Sequence, residues 1–170
     1  MRRRLFLQAA LLTAALAVSG CGFHLRGADG TLALPFKTLY VAVDPRSPLG
    51  VELARNLRAA GGARLVDSAA EADATLEVLA EARDKSVLSL NSAGRVREYA
   101  LTQSLRFRVI DSKGRELMMP ADINLRRSIS FNESQVLAKE AEEVMLYRDM
   151  QSDLVQQILR RLAALKMDGN

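Results

Sequence analysis

In this chain of 170 residues, apolar side chains recur at every second position through the middle and at every third or fourth towards the end. Tyr99, Leu101, Leu105, Phe107 and Val109 alternate with Glu98, Thr102, Ser104, Arg106 and Arg108. That two-residue period puts one set on each side of a strand. A further strand follows, with Ile123, Leu125, Ile129 and Phe131 inward and Asn124, Arg126, Ser128 and Ser130 outward. From residue 133 the period becomes helical. Leu137, Ala141, Val144, Tyr147, Leu154, Ile158, Leu162 and Leu165 trace one stripe, and no Gly or Pro interrupts residues 133–167. One unbroken helix over that span is about 50 Å long. Long half-polar strands followed by one long amphipathic helix predict a two-layer α+β domain, with a mixed, largely antiparallel sheet covered on one face by helices.

The preceding segment supplies a second helix. Leu39, Val41 and Val43 alternate over residues 37–43 and read as a first strand. Ser47 is placed to cap a helix whose first residue is Pro48, and Gly61-Gly62 ends it. Leu49, Leu53, Ala54, Leu57 and Ala60 mark its buried face, and residues 63–66 read as a short strand, giving a βαβ opening. In the next strand Leu76, Val78, Ala80 and Ala82 share a face, with Thr75, Glu77, Glu81 and Arg83 on the other. A bulge is expected near Asp84-Lys85, where Val87 falls out of step. Asn91–Gly94 and Asp111–Gly114 are turns, and residues 116–119 read as a brief continuation after the second. Arg127 interrupts an apolar face and is expected at an edge or end.

The front of the chain is of another kind. Arg2, Arg3 and Arg4 precede an apolar run, residues 5–18, which ends in Val18-Ser19-Gly20-Cys21. The run is too short for a comfortable membrane span, which needs about 20 residues, and has the layout of an export signal. Its end resembles the lipobox of bacterial lipoproteins, which implies cleavage between Gly20 and Cys21 and acylation of Cys21, the only cysteine. An ordinary signal followed by a free thiol is the alternative. Several acyl chains hold a protein stably where one does not. Gly22 follows, where inner-membrane lipoproteins often carry Asp, so the outer membrane is the expected destination. Arg3-Arg4-Leu5-Phe6-Leu7-Gln8 resembles a twin-arginine signal, and plain Sec export fits as well. The expected organisation is a leader over residues 1–20, a lipidated tether over 21–36 and one α+β domain over 37–170.

Charge and chemistry narrow the function. The formal charge is +4, but without Arg2, Arg3 and Arg4 the balance is 21 Lys and Arg against 20 Asp and Glu. Nothing here suggests nucleic acid, and the chain has no Trp for stacking bases. The only histidine is His24, beside the anchor, and no nucleophile elbow, Walker loop or Cys/His metal spacing is present. No catalytic residue, metal or cofactor is therefore expected, and the Glu140, Glu142 and Glu143 cluster reads as a solvated helix face. Residues 95–127 hold eight basic and four acidic side chains, whereas residues 133–153 hold six acids against Lys139 and Arg148. A basic sheet face is one expectation, with arginines able to grip phosphate in pairs of hydrogen bonds. Ordinary solvated strands are the other. For an exported, anchored chain the phosphorylated polyanion at hand is lipopolysaccharide.

Cys21-Gly22-Phe23-His24-Leu25-Arg26-Gly27 closely resembles the mature start of the LptE family of lipopolysaccharide-assembly lipoproteins. The likeness continues in Glu98-Tyr99, Arg127-Ser128 and Leu137-Ala138-Lys139-Glu140-Ala141-Glu142-Glu143. The resemblance implies a plug for an LptD-type outer-membrane β-barrel, which assists the barrel's assembly and binds lipopolysaccharide during delivery to the surface. Lys139 matches a basic position of the family and joins Arg106, Arg108 and Arg126 as candidate lipopolysaccharide contacts. It is equally a surface lysine that could pair with Glu143. A pilotin-like lipoprotein escorting another channel would share the anchor, and a carboxylate hydrolase is the enzymatic competitor.

Overall fold

A computed structural model describes residues 34–165, and the proposed anchor at Cys21 lies outside them. The elements run β1 (Thr38–Ala42), α1 (Pro48–Ala60), β2 (Arg64–Val66), β3 (Ala74–Leu90), β4 (Val96–Asp111), β5 (Glu116–Ser130) and α2 (Val136–Ala164). They form one five-stranded sheet in the order β2-β1-β3-β4-β5. β1 is parallel to both neighbours, while β3, β4 and β5 form an antiparallel meander of strands 15 to 17 residues long. Both helices pack on one face, as the two-layer α+β reading requires.

Local chemistry sets the boundaries. The Ser47 hydroxyl accepts from the Gly50 N–H at 3.0 Å, Pro48 opens α1, and Gly61 ends it in the left-handed region at φ 66°. A Cβ on Gly50 would lie 2.3 Å from the Asp44 carbonyl oxygen, so the loop can fold this tightly onto α1 only over glycine. The two hairpin turns share one design. Asn91 Oδ1 accepts from the N–H groups of Ala93 and Arg95, and Asp111 Oδ1 from those of Lys113 and Arg115. Gly94 and Gly114 each take a positive φ three residues on, at 74° and 78°. A short 3-10 turn over Glu133–Gln135 leads into α2, with the Asn132 side chain accepting from Ser134 N–H.

Three expectations are corrected. The β3 bulge falls at Leu79, between Val78 and Ala80, with further irregularity at Val87–Leu90, instead of at Asp84-Lys85. Because the extra residue reverses the alternation, Ala80 and Ala82 turn away from the helices, while Glu81, Arg83 and Lys85 align with Leu105, Gln103 and Leu101 on the covered face. Residues 116–130 form one strand through Pro120, with a bulge opposite Arg108. Proline is tolerated there because β5 is an edge. The predicted stripe of α2 is buried only in its second half: Leu154, Ile158 and Leu162 are fully enclosed, whereas Leu137 is 82% exposed and Val144 51%.

The main core joins Leu39, Leu76, Leu105, Phe107, Ile123, three leucines of α1 and the second half of α2. A smaller cluster of Leu101, Ile129 and Met150 lies further along the meander. Gln103 stands on the same strand face between the Leu101 and Leu105 positions, fully buried, and neither of its amide atoms has a hydrogen-bond partner among the described residues. At the start of the sheet, the Asp73 carboxylate accepts from the N–H groups of Lys37 and Thr38 at 3.0 and 2.9 Å, fastening β1 to the entry of β3. The Thr38 backbone N–H holds that carboxyl below its ordinary value.

Candidate functional site

Arg106, Arg108 and Arg126 stand on the sheet face that the helices leave uncovered, at even-numbered positions of β4 and β5. Their situations differ. Arg108 donates to Glu77 at 2.7 Å and to Glu116 at 3.3 Å, and those two carboxylates hold its guanidinium firmly charged. Arg106 lies opposite Asp122, and Arg126 opposite Thr102. Neither makes an ion pair within 4 Å among the described residues, and both are exposed. The guanidiniums of Arg106 and Arg126 are therefore the ones available to an anion.

The expected basic face is corrected at this point. Glu77, Asp84, Glu98 and Asp122 share the uncovered face with the three arginines, so it is a mixed polar surface. The other basic residues of the segment lie elsewhere. Arg95 pairs with Glu133, Arg115 with Asp111, and Arg127, on the edge strand as expected, reaches Asp153 of α2 at 2.7 Å. Counting charges along a chain cannot anticipate this, because register decides which side each residue joins.

Lys139 belongs to a separate place. Its ammonium donates to Ser130 Oγ at 2.9 Å and to Glu142 at 2.8 Å, with the side chain only 17% exposed. The anticipated partner, Glu143, is taken by Lys85 at 2.5 Å. Hydrogen bonding to Glu143 raises the Lys85 pKa, so its ammonium stays charged. Lys85 also sits 4.5 Å from the Tyr99 ring, which meets Phe131 edge-on at 5.4 Å. Lys85, Tyr99, Phe131, Val136, Lys139 and Glu143 line a cleft of about 190 Å³ between the end of the sheet and the start of α2. Its two ammonium groups are engaged by Glu143 and Glu142, and Glu140 and Glu143 line it as well, so the cleft carries balanced charge beside an aromatic pair and an apolar wall. The sequence reading missed Lys85, since a bulge placed beyond Leu79 leaves the phase of residues 80–85 wrong.

Next to the cleft, Arg83 donates to Gln151 at 2.5 Å and stacks 5.6 Å from the Tyr147 ring. The Tyr147 hydroxyl donates to the Asp84 carbonyl at 2.8 Å. Burial raises the Tyr147 pKa, so the hydroxyl stays a donor. These contacts fix α2 over the meander. Among the described residues no group of three His, Cys, Asp or Glu is placed to hold a metal, and no helix is long and apolar enough to cross a membrane.

Comparison with known proteins gives this arrangement a context. Residues 36–162 match the family model LptE, Lipopolysaccharide-assembly. The chain is 30% identical over 166 residues to the LPS-assembly lipoprotein LptE of Pectobacterium atrosepticum, covering 97% of this chain and 88% of that protein. To its Photorhabdus laumondii counterpart it is 30% identical over 162 residues, 95% of this chain and 87% of the other. Among solved structures, lipoprotein B from Nitrosomonas europaea is 39% identical with a TM-score of 0.73, over 84% of this chain and 91% of that one. The rare lipoprotein B of Shewanella oneidensis follows at 26% identity and a TM-score of 0.66, over 75% and 95%. The fold, the uncovered polar sheet and the extent of these matches lead to one conclusion: the chain belongs to the LptE family of lipopolysaccharide-assembly lipoproteins.

Proposed function

We propose that this lipoprotein is anchored in the outer membrane through acylated Cys21, seats its domain in the lumen of an LptD-type β-barrel, and binds lipopolysaccharide on its way to the surface. The observation that carries the reading is the family match across residues 36–162, nearly the whole described domain. The geometry supports it. A long three-stranded meander presents one uncovered face of Arg, Asp, Asn, Ser and Thr side chains, which suits contact with a water-filled barrel wall. Arg106 and Arg126 on that face are the cationic groups for the phosphates of lipopolysaccharide, whereas Lys139 and Lys85 at the cleft would first have to give up Glu142 and Glu143. No catalytic role is assigned to any side chain.

The test is a tagged pull-down from detergent-solubilised outer membranes, with bound lipopolysaccharide quantified. A stoichiometric barrel of the LptD kind is expected; a secretin in its place would replace the plug with a pilotin-like escort. Arg106→Glu with Arg126→Glu is the informative double change. Altering Arg108 would strand Glu77 and Glu116 beside a new acid and confuse binding with folding. Lipopolysaccharide retention should fall about tenfold if the two guanidiniums each supply a charge-assisted contact. Unchanged retention would remove the sheet face from the binding site and leave the cleft.

A further inference from the structure

We infer that the free edge of β3 and the open half of α2 beside it form a docking site for an extended strand of the partner barrel chain. This rests on the plug reading above and says how the partner is gripped.

The site arises from a mismatch in length. β3 has 17 residues, but β1 pairs only with Ala74–Glu77. Among the described residues, β3 beyond Glu77 is paired on the β4 side alone. Its other edge is open for the rest of its length. Ser112 N–H donates to the Asp73 carbonyl, while Asp111 N–H bonds Arg115 across the other side of β4, so the even residues of β4 turn their backbone groups to β3 and meet Ala80, Ala82, Asp84 and Ser86. In an antiparallel ladder a residue's N–H and C=O point to the same side and alternate residues agree. Glu81, Arg83, Lys85 and Val87 therefore offer both groups outward.

The helix layer has a matching step. Leu137, Ala141, Val144, Arg148, Gln151, Val155 and Leu159 follow one another at intervals of three or four and form one row along α2. α1 lies against the later part of that row, where Gln151 donates to Glu52 at 2.8 Å and Gln156 to Asn56 at 3.2 Å. With 13 residues, α1 covers no more. Leu137 and Val144 are left 82% and 51% exposed, and Val87 of β3, facing the same layer, 53%.

An occupant must thus satisfy a row of backbone donors and acceptors at strand spacing and also bury an apolar flank. An extended polypeptide with apolar side chains at alternate positions does both. An acyl chain offers no donors, and a helix has none to spare. The added strand would continue the line of β1 on β3, as its flank contact would continue the line of α1 on α2. Leu34 and Leu165, the first and last described residues, both pack on the main core.

The test uses the intact lipoprotein purified with its barrel, carrying the photo-crosslinker benzoylphenylalanine in place of Val87 or of Val144. Both positions should crosslink to the same short segment of the barrel chain, and the Glu81, Arg83 and Lys85 amides should gain hydrogen-exchange protection in the complex. Glu81→Pro removes an outward N–H and leaves the β4 ladder intact, so the domain should fold while crosslink yield falls about tenfold. Val144→Asp, on an exposed position, should act likewise. Crosslinks to two unrelated segments, to lipopolysaccharide, to a second copy or to nothing would overturn the inference, as would an undiminished yield from Glu81→Pro. If the barrel co-purifies in those cases, the plug reading survives. If no barrel co-purifies with the unaltered chain, both fall.

Discussion

The two ends of this sheet are built from the same strands to different standards of closure. At one end β1, β2 and α1 complete the layers, and Leu39, Leu53, Leu76, Phe107, Leu154 and Ile158 are essentially without exposure. At the other end only β3, β4, β5 and the first half of α2 remain, held by Lys85–Glu143, Arg83–Gln151 and Lys139–Glu142 together with a small apolar cluster. The first end folds the protein. The second keeps polar side chains, an open edge and a cleft within reach of other molecules. Buried apolar area dominates stability, whereas partly exposed ion pairs contribute little. Binding features can therefore accumulate at the second end without unfolding the first.

The largest effect should follow from damaging the closed end. Leu154→Ala removes a fully buried side chain between α2 and the sheet and should cost about 2–5 kcal/mol, measured by urea unfolding of the purified domain. A loss below 1 kcal/mol would mean that the two ends share the stability evenly.

Gln103, at the boundary between the ends, should respond in the opposite sense. Gln103→Leu replaces a buried amide with no partner among the described residues by an apolar side chain of similar size. The gain should be about 1–3 kcal/mol, the penalty of a buried unsatisfied polar group. A destabilised variant would show that the amide is bonded in solution. A smaller, pH-dependent effect belongs to Asp73. Its folded pKa is depressed below the ordinary 3.8, so its contribution is complete above that value and is lost as pH falls through the folded one. The stability difference between the native chain and Asp73→Asn should hold steady from about pH 8 to 5 and shrink below about pH 4. A difference that grows in acid would reverse the assignment.

How much of this was legible in the sequence follows the same division. The closed end could be read residue by residue, because its signals are local: Ser47 and Pro48 at a helix start, Gly61 at its stop, alternation through Leu39 and Val41. Gly50 escaped, since what demands a glycine is the Asp44 carbonyl folded back against it, a contact that no pattern announces. The open end was read less well. One extra residue at Leu79 reverses the assignment of residues 80–85, which places Arg83 and Lys85 on the helix side. The α2 stripe is legible as one face but its burial is not, because a helical period shows which residues share a face, not how far the covering layer extends. Arg106, Arg108 and Arg126 were placed on the correct face, but only cross-strand register reveals that Arg108 is already engaged.

The finest comparison uses one residue type twice on one helix row. Val144 and Val155 lie on the same row of α2, at 51% and 0% exposure. Truncation to alanine removes the same atoms from both. At Val155 those atoms lie against the main core and leave a space that neighbours cannot fully close, so the loss should be about 1–2 kcal/mol. At Val144 they face water, and the change should stay within about 0.5 kcal/mol in the isolated domain. The helix propensity gained by alanine acts equally on both and cancels in the difference. Equal denaturant slopes for the two variants would confirm that their folded states are alike, leaving the midpoints to report burial alone. If Val144→Ala were as costly as Val155→Ala, the open half of α2 would already be covered in the isolated chain. Strand docking at the β3 edge would then have to displace whatever covers it.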